Sequence, residues 1–284
     1  MGSKLTDFLC KKFNIFCSDN STKSLKIASD VVYGKGYVNK NSKETIDLKM
    51  DVYAPSKTGS YPGVLFVHGG GFKSGSKSDS NLVNMINLVA SKGFCCFSID
   101  YRLVKNDPPA PLPWSALLNI GAAGHAATVD TKTAIRYIIT TASQKFPVDG
   151  SRLSIVGESA GAVASIAAGV SEDKFNNDGV LFQSLVFPPI QYKLKSITSL
   201  WGSGTLVLNE IDSNDPPILI MHGTEDNEPG VSYLDSLTLN AQCDKVKLQH
   251  MFYPLKGFGH GAWGASVGGK PIAQIVSEWV IKFT

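Results

Sequence analysis

The sequence has no apolar run near the roughly 18 residues that span a bilayer, and it has no long basic run. Its 284 residues carry 27 Lys and Arg against 24 Asp and Glu, which gives a net charge of +3. We therefore expect no transmembrane segment and no nucleic-acid partner. The hydrophobic share of 43% and the charged share of 18% are typical of a globular protein with a substantial core.

Histidine and cysteine are scarce, with five of each. They do not form a cluster with metal-ligand spacing, so we expect neither a metal nor an organic cofactor. Cys95 and Cys96 are adjacent in an apolar run, and neighbouring strand residues point to opposite faces, which predicts two separate core thiols. Cys243 is solitary. A local disulfide between Cys10 and Cys17 is geometrically possible, and the sequence leaves that pairing open.

The N-terminus allows several interpretations. The stretch MGSKLT fits the pattern for myristoylation of Gly2, yet Met-Gly-Ser is also a common cloning remnant. Asp7, Lys11 and Lys12 interrupt any apolar signal-peptide core, so the chain as written is expected in the cytoplasm. The glycosylation sequon at Asn20 fits a secreted protein whose signal was removed, and the Gly2 pattern fits a lipid-anchored protein, so both remain alternatives.

Hydrophobic patterning predicts one α/β domain over residues 25–284, preceded by an extension at 1–24. Alternating residues at 27–34 and 45–55 predict antiparallel edge strands. Continuous apolar runs predict strands buried on both faces in a mostly parallel sheet, at 63–71, 93–103, 152–159, 182–189, 216–226 and 247–255. Helical spacing predicts helices on both faces, at 81–92, 130–146, 160–170, 231–242 and 271–283. We expect the remaining segments, 104–127 and 190–215, to be loops or a small cap.

The stretch SIVGESAGAVA, residues 154–164, is a predicted strand followed directly by a predicted helix. Gly-x-Ser-x-Gly at such a junction is the pattern of a nucleophile elbow. We expect side chains at Gly157 and Gly161 to collide with the neighbouring strand and helix. The turn then exposes the Ser159 hydroxyl beside a helix N-terminus, which favours developing negative charge.

A reactive serine needs a base and an orienting carboxylate. Of the five histidines, His260 lies in a Gly-rich loop after the last predicted strand, and we predict it to be the base. Asp226 follows another predicted strand in MHGTEDNEPG and is our choice for the acid. Glu225 and Glu228 lie close enough in sequence to remain alternatives.

The stretch VHGGGF supplies three consecutive glycines after a predicted strand. Glycine lets backbone N–H groups converge on one point with no side chain in the way. Gly70 and Gly71, together with the amide of Ala160, are therefore predicted to form an oxyanion hole. A phosphate-binding loop is excluded because the Gly-Lys-Ser/Thr ending is missing.

HGGGF, GESAG, HGTED and GHGAW, in that order, resemble the α/β-hydrolase superfamily and within it the HGGG-bearing carboxylesterases and lipases. The resemblance covers roughly residues 45–284. It implies an α/β-hydrolase fold with Ser159 as nucleophile, Asp226 as acid and His260 as base. It also implies an oxyanion hole from the HGGG loop and the elbow, and a structural role for Arg102 in DYRL. The chain is shorter than many relatives, which predicts an open cleft under a small cap.

The expected function is a serine carboxylesterase that acts through an acyl-enzyme. Short acyl chains, or acyl and aryl groups on a bulkier alcohol such as a polysaccharide, are the expected substrates. Trp114 and Trp263 are candidate substrate-binding residues, and Trp201 is a further candidate pocket wall. Thioesterase, lactonase, lipase and peptidase activities remain alternatives because they use the same triad. A non-catalytic binding protein on this fold is a further alternative, since a fold does not fix a function.

Overall fold

The computed structural model describes residues 25–40, 42–110, 118–171 and 190–284. An eight-stranded sheet has the order β1-β2-β4-β3-β5-β6-β7-β8. The first two strands pair antiparallel, β2 pairs antiparallel with β4, and all other neighbours are parallel. The strands are β1 Lys26–Tyr37, β2 Thr45–Tyr53, β3 Tyr61–Val67, β4 Cys95–Ile99, β5 Val148–Glu158, β6 Ile197–Leu200, β7 Ile218–Gly223 and β8 His250–Leu255. A small hairpin follows, with β9 Ser266–Val267 and β10 Lys270–Pro271.

Among the described residues, five α-helices cover the two faces of this sheet. They are α1 Ser80–Ser91, α2 Leu118–Thr140, α3 Ala160–Val170, α4 Tyr233–Val246 and α5 Ile272–Phe283. Two buried clusters form the core: α2, α3 and α4 pack on one face, and α1 and α5 pack on the other. Cys95 belongs to the first cluster and Cys96 to the second, so the two thiols lie on opposite faces as predicted. The predicted α/β class, with a mostly parallel sheet and helices on both faces, is confirmed.

Two segments predicted as loops or cap contribute in part to the core, and the prediction is wrong for those residues. β6 lies within 190–215 and is an interior strand of the sheet, between β5 and β7. α2 begins at Leu118, so about ten residues of the predicted loop 104–127 are helical. The run at 247–255, predicted to be buried on both faces, contains the edge strand β8, where Met251 is 41% exposed.

Several predictions lie outside the described residues. These are the extension 1–24 with Gly2, Cys10 and Cys17, the candidate Trp114, and the strand predicted at 182–189. Among the helices of the described residues, none has the length and apolarity that crossing a bilayer requires.

The turn between β5 and α3 is held in a rare backbone conformation. Ser159 has φ 53° and ψ −123°, a region that non-glycine residues seldom adopt. A Cβ on Gly157 would lie 2.6 Å from Cα of Ala162, and a Cβ on Gly161 would lie 2.7 Å from the carbonyl carbon of Val67 at the end of β3. No side chain fits at those separations, so the turn depends on both glycines.

Arg102 follows β4 and is 1% exposed. Its Nη2 and Nε donate to the Asp130 carboxylate on α2 at 2.7 and 3.0 Å, and its Nη1 donates to the Tyr37 carbonyl at 3.0 Å. The side chain crosses Gly36 so closely that a Cβ there would lie 2.5 Å from Nε. One buried ion pair therefore ties β1, β4 and α2 together.

We predict that Asp130→Ala lowers the free energy of unfolding by about 3–5 kcal/mol, because the Arg102 charge stays buried without its partner. Urea denaturation followed by circular dichroism measures this loss. The double variant Arg102→Met, Asp130→Leu should lose clearly less, since neither charge remains. A double variant as unstable as Asp130→Ala would contradict this account.

We predict that Gly161→Ala lowers the free energy of unfolding by about 3 kcal/mol, because its new methyl group meets the backbone of β3. The direction of the change in the free energy of unfolding tests the steric argument, since alanine in place of glycine in an unobstructed helix stabilises by about 1 kcal/mol. Gly124→Ala on α2 is the matched control, because Gly124 is also helical and a Cβ there would lie no closer than 3.4 Å to its neighbours, an ordinary contact. Equal stability of the two variants in urea denaturation would refute the steric argument.

Candidate active site

Ser159 lies at the carboxyl end of β5, where the sheet meets α3. Its amide N–H donates to the Leu200 carbonyl at the end of β6 at 2.9 Å, so the neighbouring strand holds the turn in place. The residue is 7% exposed, and its side chain borders a cavity. The hydroxyl is therefore accessible from one direction only.

The structure brings the three predicted triad residues together. Ser159 Oγ lies 2.8 Å from His260 Nε2, and His260 Nδ1 lies 2.7 Å from Asp226 Oδ2. His260 comes from the loop after β8, and its side chain is 31% exposed, whereas the Asp226 side chain is fully buried. Serine, imidazole and carboxylate thus form a continuous hydrogen-bonded chain from the cavity to the interior.

Of the three acidic candidates after β7, Asp226 is the one that meets His260. Its backbone N–H donates to the Gly223 carbonyl at 3.2 Å, which turns the chain at the strand end and directs the carboxylate inward. Asp226 Oδ1 accepts the Glu228 amide N–H at 2.9 Å. Glu225 and Glu228 are themselves exposed.

The glycine loop after β3 lies beside Ser159. Gly70 and Gly71 have φ values of 102° and 61°, and both border the same cavity as Ser159 and Ala160. Among the described residues, no hydrogen bond takes up the amide N–H of Gly70, Gly71 or Ala160. These three amides are thus available to a ligand, in the positions predicted for an oxyanion hole.

The Gly69 peptide group anchors this loop on both sides. Its carbonyl lies 3.1 Å from the Tyr101 hydroxyl and 2.7 Å from His68 Nδ1, and its N–H donates to Glu158 Oε1 at 2.5 Å. The His68 ring stacks on Tyr101, with centroids 4.2 Å apart. Burial lowers the pKa of His68, which favours its neutral form. His68 is therefore a brace for the loop, away from the triad.

Glu158, the residue before Ser159, joins distant segments of the chain. Its carboxylate accepts hydrogen bonds from the Gly69 N–H and from Trp201 Nε1 at 3.1 Å. Burial raises the pKa of Glu158, and the Trp201 and Gly69 hydrogen bonds oppose that rise. The position of Glu158 directly before Ser159 in GESAG was the available sequence signal. It did not reveal that Gly69 and Trp201 are the partners of the carboxylate.

The cavity at Ser159 has a volume of about 710 Å³. Its wall combines the glycine loop, the N-terminal part of α2, the start of α3 and the loops at 205–206 and 228–231. Phe72 and Val163 supply apolar surface, and Lys73 and Glu228 supply charge. The volume is within the range of about 300–1,000 Å³ that small-molecule sites occupy. Among the described residues, no three His, Cys, Asp or Glu side chains form a group that could hold a metal ion.

Trp201 and Trp263 do not border the cavity that the described residues form. Trp201 is fully buried, and Trp263 packs edge-on against it with ring centroids 4.9 Å apart. Both lie on the α1/α5 side of the core. Trp201 is thus a core residue and not a pocket wall, and a substrate contact for the half-buried Trp263 stays a prediction.

Sequence reasoning also missed a second histidine at the triad. His222 Nε2 lies 2.7 Å from Asp226 Oδ2, the same oxygen that faces His260. The signal was present in HGTED, where His222 precedes Asp226 by four residues at the end of a strand. Its significance depends on a turn that only the fold displays.

Comparisons with solved structures return esterases with the same architecture. Thermogutta terrifontis esterase 2 phosphoramylated by tabun has a TM-score of 0.67 at 18% identity, covering 90% of this chain and 95% of that one. The same esterase with propionate bound has a TM-score of 0.65 at 19% identity, covering 93% and 94%. A truncated carbohydrate esterase from gut microbiota has a TM-score of 0.66 at 18% identity, covering 92% and 97%. At these identities the likeness shows the shared fold.

A search of the curated proteins gives no match. The BD-FAE family model matches residues 50–207, which is more than half of the chain and includes both the glycine loop and the Ser159 turn. The chain is thus an α/β-hydrolase that belongs to the BD-FAE family.

Proposed function

We propose that this protein is a serine carboxylesterase with Ser159 as nucleophile, His260 as base and Asp226 as the orienting acid. The observation that carries the proposal is the hydrogen-bonded chain from Ser159 Oγ through His260 to Asp226, with its serine facing a cavity. Membership of the BD-FAE family and the fold shared with the esterases above support the same reaction class.

The reaction begins when His260 Nε2 takes the Ser159 proton and Oγ bonds to the ester carbonyl carbon. The resulting oxyanion accepts hydrogen bonds from the amides of Gly70, Gly71 and Ala160, which cost no reorganisation because the loop is already anchored. The tetrahedral intermediate then loses the alcohol, which leaves with the proton held by His260. An acyl-enzyme on Ser159 remains.

Water completes the cycle. His260 removes a proton from the water, the hydroxide attacks the acyl carbon, and the acid leaves as Ser159 recovers its proton. Throughout, the buried Asp226 stabilises the imidazolium that forms twice in each turnover. The net change is one ester and one water converted into one acid and one alcohol.

The proposed substrates are esters with short acyl chains, or with acyl or aryl groups on a bulkier alcohol such as a polysaccharide. The cavity volume suits a small acyl group together with part of an alcohol. Propionate occupies the related Thermogutta terrifontis esterase 2, and another related structure is a carbohydrate esterase. We also propose that residues 25–284 form the single catalytic domain and residues 1–24 an extension to it.

We predict hydrolysis of p-nitrophenyl acetate and butyrate, weaker hydrolysis of the octanoate and palmitate, and loss of turnover in Ser159→Ala. Asp226→Asn should lower kcat by about 10⁴-fold, because an amide disfavours the required histidine tautomer. The rate of p-nitrophenol release measures the activity of the wild type, Ser159→Ala and Asp226→Asn.

Glu225→Gln and Glu228→Gln are the matched controls for Asp226→Asn, since each removes one neighbouring charge without touching His260. Both controls should keep most of the wild-type kcat. If wild type and Ser159→Ala were equally inert on all four esters, a carboxylesterase acting on simple esters would be refuted, and thioesters and lactones would be assayed next.

We predict that Gly124→Leu lowers kcat/KM for the octanoate by about tenfold more than for the acetate, because the new side chain occupies space in the cavity. Gly124 borders the cavity on α2, where a Cβ would lie 3.4 Å from the Phe72 ring. Gly124→Ala controls for the change in helix propensity. Equal losses on both esters would show that the acyl chain does not enter this part of the cavity.

A further inference from the structure

Asp226 has more hydrogen-bond donors than a triad requires. Its Oδ2 lies 2.7 Å from Nδ1 of His260 and 2.7 Å from Nε2 of His222, while Oδ1 accepts the Glu228 amide N–H. A carboxylate only accepts, so each imidazole nitrogen that faces Oδ2 carries a proton. Two histidines therefore share one oxygen of one buried carboxylate.

The protonation state of His222 follows from its other nitrogen. Nδ1 lies 2.5 Å from Ser236 Oγ on α4, and that hydroxyl also lies 3.2 Å from the Gly202 carbonyl. When the hydroxyl proton points to Nδ1, His222 is a neutral ring with its proton on Nε2.

Burial supports the neutral form. His222 and Ser236 are fully buried, so a positive charge on the His222 ring would lose its hydration. Desolvation lowers the pKa of His222, and the hydrogen bond to Asp226 opposes that effect. A neutral donor satisfies the buried carboxylate without neutralising the charge that His260 needs.

We propose that His222 is a positioning residue. Its neutral ring, which contacts Ser236, donates an N–H to the Asp226 carboxylate, orients that carboxylate and weakens the hydrogen bond between Asp226 and His260 Nδ1. This inference rests on the proposed function. Oδ2 accepts hydrogen bonds from two donors. It therefore stabilises the imidazolium of His260 less than a carboxylate oxygen with a single donor would. The contact between His222 and Asp226 thereby affects how readily His260 accepts the Ser159 proton.

Other groups also act on the two rings. Within the described residues, the charged or titratable side chains near them are Asp226, Tyr233 on α4, Glu158 at the end of β5, and Lys73 and Glu228 at the cavity wall. These remain unchanged in the variants below, so a shift between variants reports on His222.

Asparagine and glutamine separate the two contacts of His222. Glutamine places its amide nitrogen near the position of Nε2 and keeps a donor toward Asp226, whereas asparagine reaches only the position of Nδ1 and the Ser236 contact. His222→Asn therefore removes the proposed interaction, and His222→Gln is its matched control. A purely structural role would be damaged similarly by both changes.

The first measurement is the pH profile of kcat/KM on p-nitrophenyl acetate. We expect the acidic limb of the His222→Asn profile to move up by about 0.5–1 pH unit, the size of effect that the loss of one hydrogen bond produces. We also expect kcat to fall by about 10- to 100-fold, as the carboxylate loses its orientation. His222→Gln should restore both values toward wild type. An unmoved limb in His222→Asn, or one that moves to lower pH, would overturn the proposal.

The second measurement needs neither turnover nor a variant. Nitrogen-15 NMR of the wild-type protein should show His222 neutral, with its proton on Nε2, from about pH 5 to pH 8, where an unperturbed histidine changes its charge. A His222 that is protonated on Nδ1 above pH 7 would overturn the proposal. If the wild type showed no Ser159-dependent ester hydrolysis, the proposed esterase function would be refuted. The NMR result would still decide the protonation state of His222.

Discussion

The geometry of the site depends on the close approach of the 157–161 turn to the end of β3. Gly157 and Gly161 leave no space for a Cβ, and Ser159 between them is held at a positive φ. This contact brings the Ser159 hydroxyl beside the glycine loop that follows β3. Local strain at Ser159 persists because the sheet on one side and the fully buried α3 on the other leave the turn no alternative.

Around that turn, the buried carboxylate of Asp226 and the half-buried carboxylate of Glu158 connect distant parts of the chain. Asp226 accepts hydrogen bonds from the loop after β8, from β7 and from its own turn. Glu158 accepts hydrogen bonds from the glycine loop and from Trp201. Removing a carboxylate from water is costly unless donors surround it, so each one requires several segments to be in place together. Stability and the alignment of the proposed reacting groups thus rest on the same contacts.

Local patterns predicted much of the fold and failed where patterns were short or mixed. The small apolar residues of α3 predicted its bounds, because a strand cannot continue through Gly157-x-Ser-x-Gly161. β6 escaped detection, since it has four residues with two buried hydroxyls at its centre, Thr198 and Ser199. The start of α2 was missed because prolines before it and glycines within it argue against a helix.

The sequence by itself determined the parallel α/β architecture, the strand–turn–helix around Ser159 and a short set of candidates for acid and base. Only the tertiary structure decided which acid meets His260, that Trp201 packs in the core, and that His222 and Glu158 join the site. The physical reason is separation along the chain. His260 lies 101 residues from Ser159 and 34 from Asp226, and such contacts follow from strand order and register, which no local periodicity encodes.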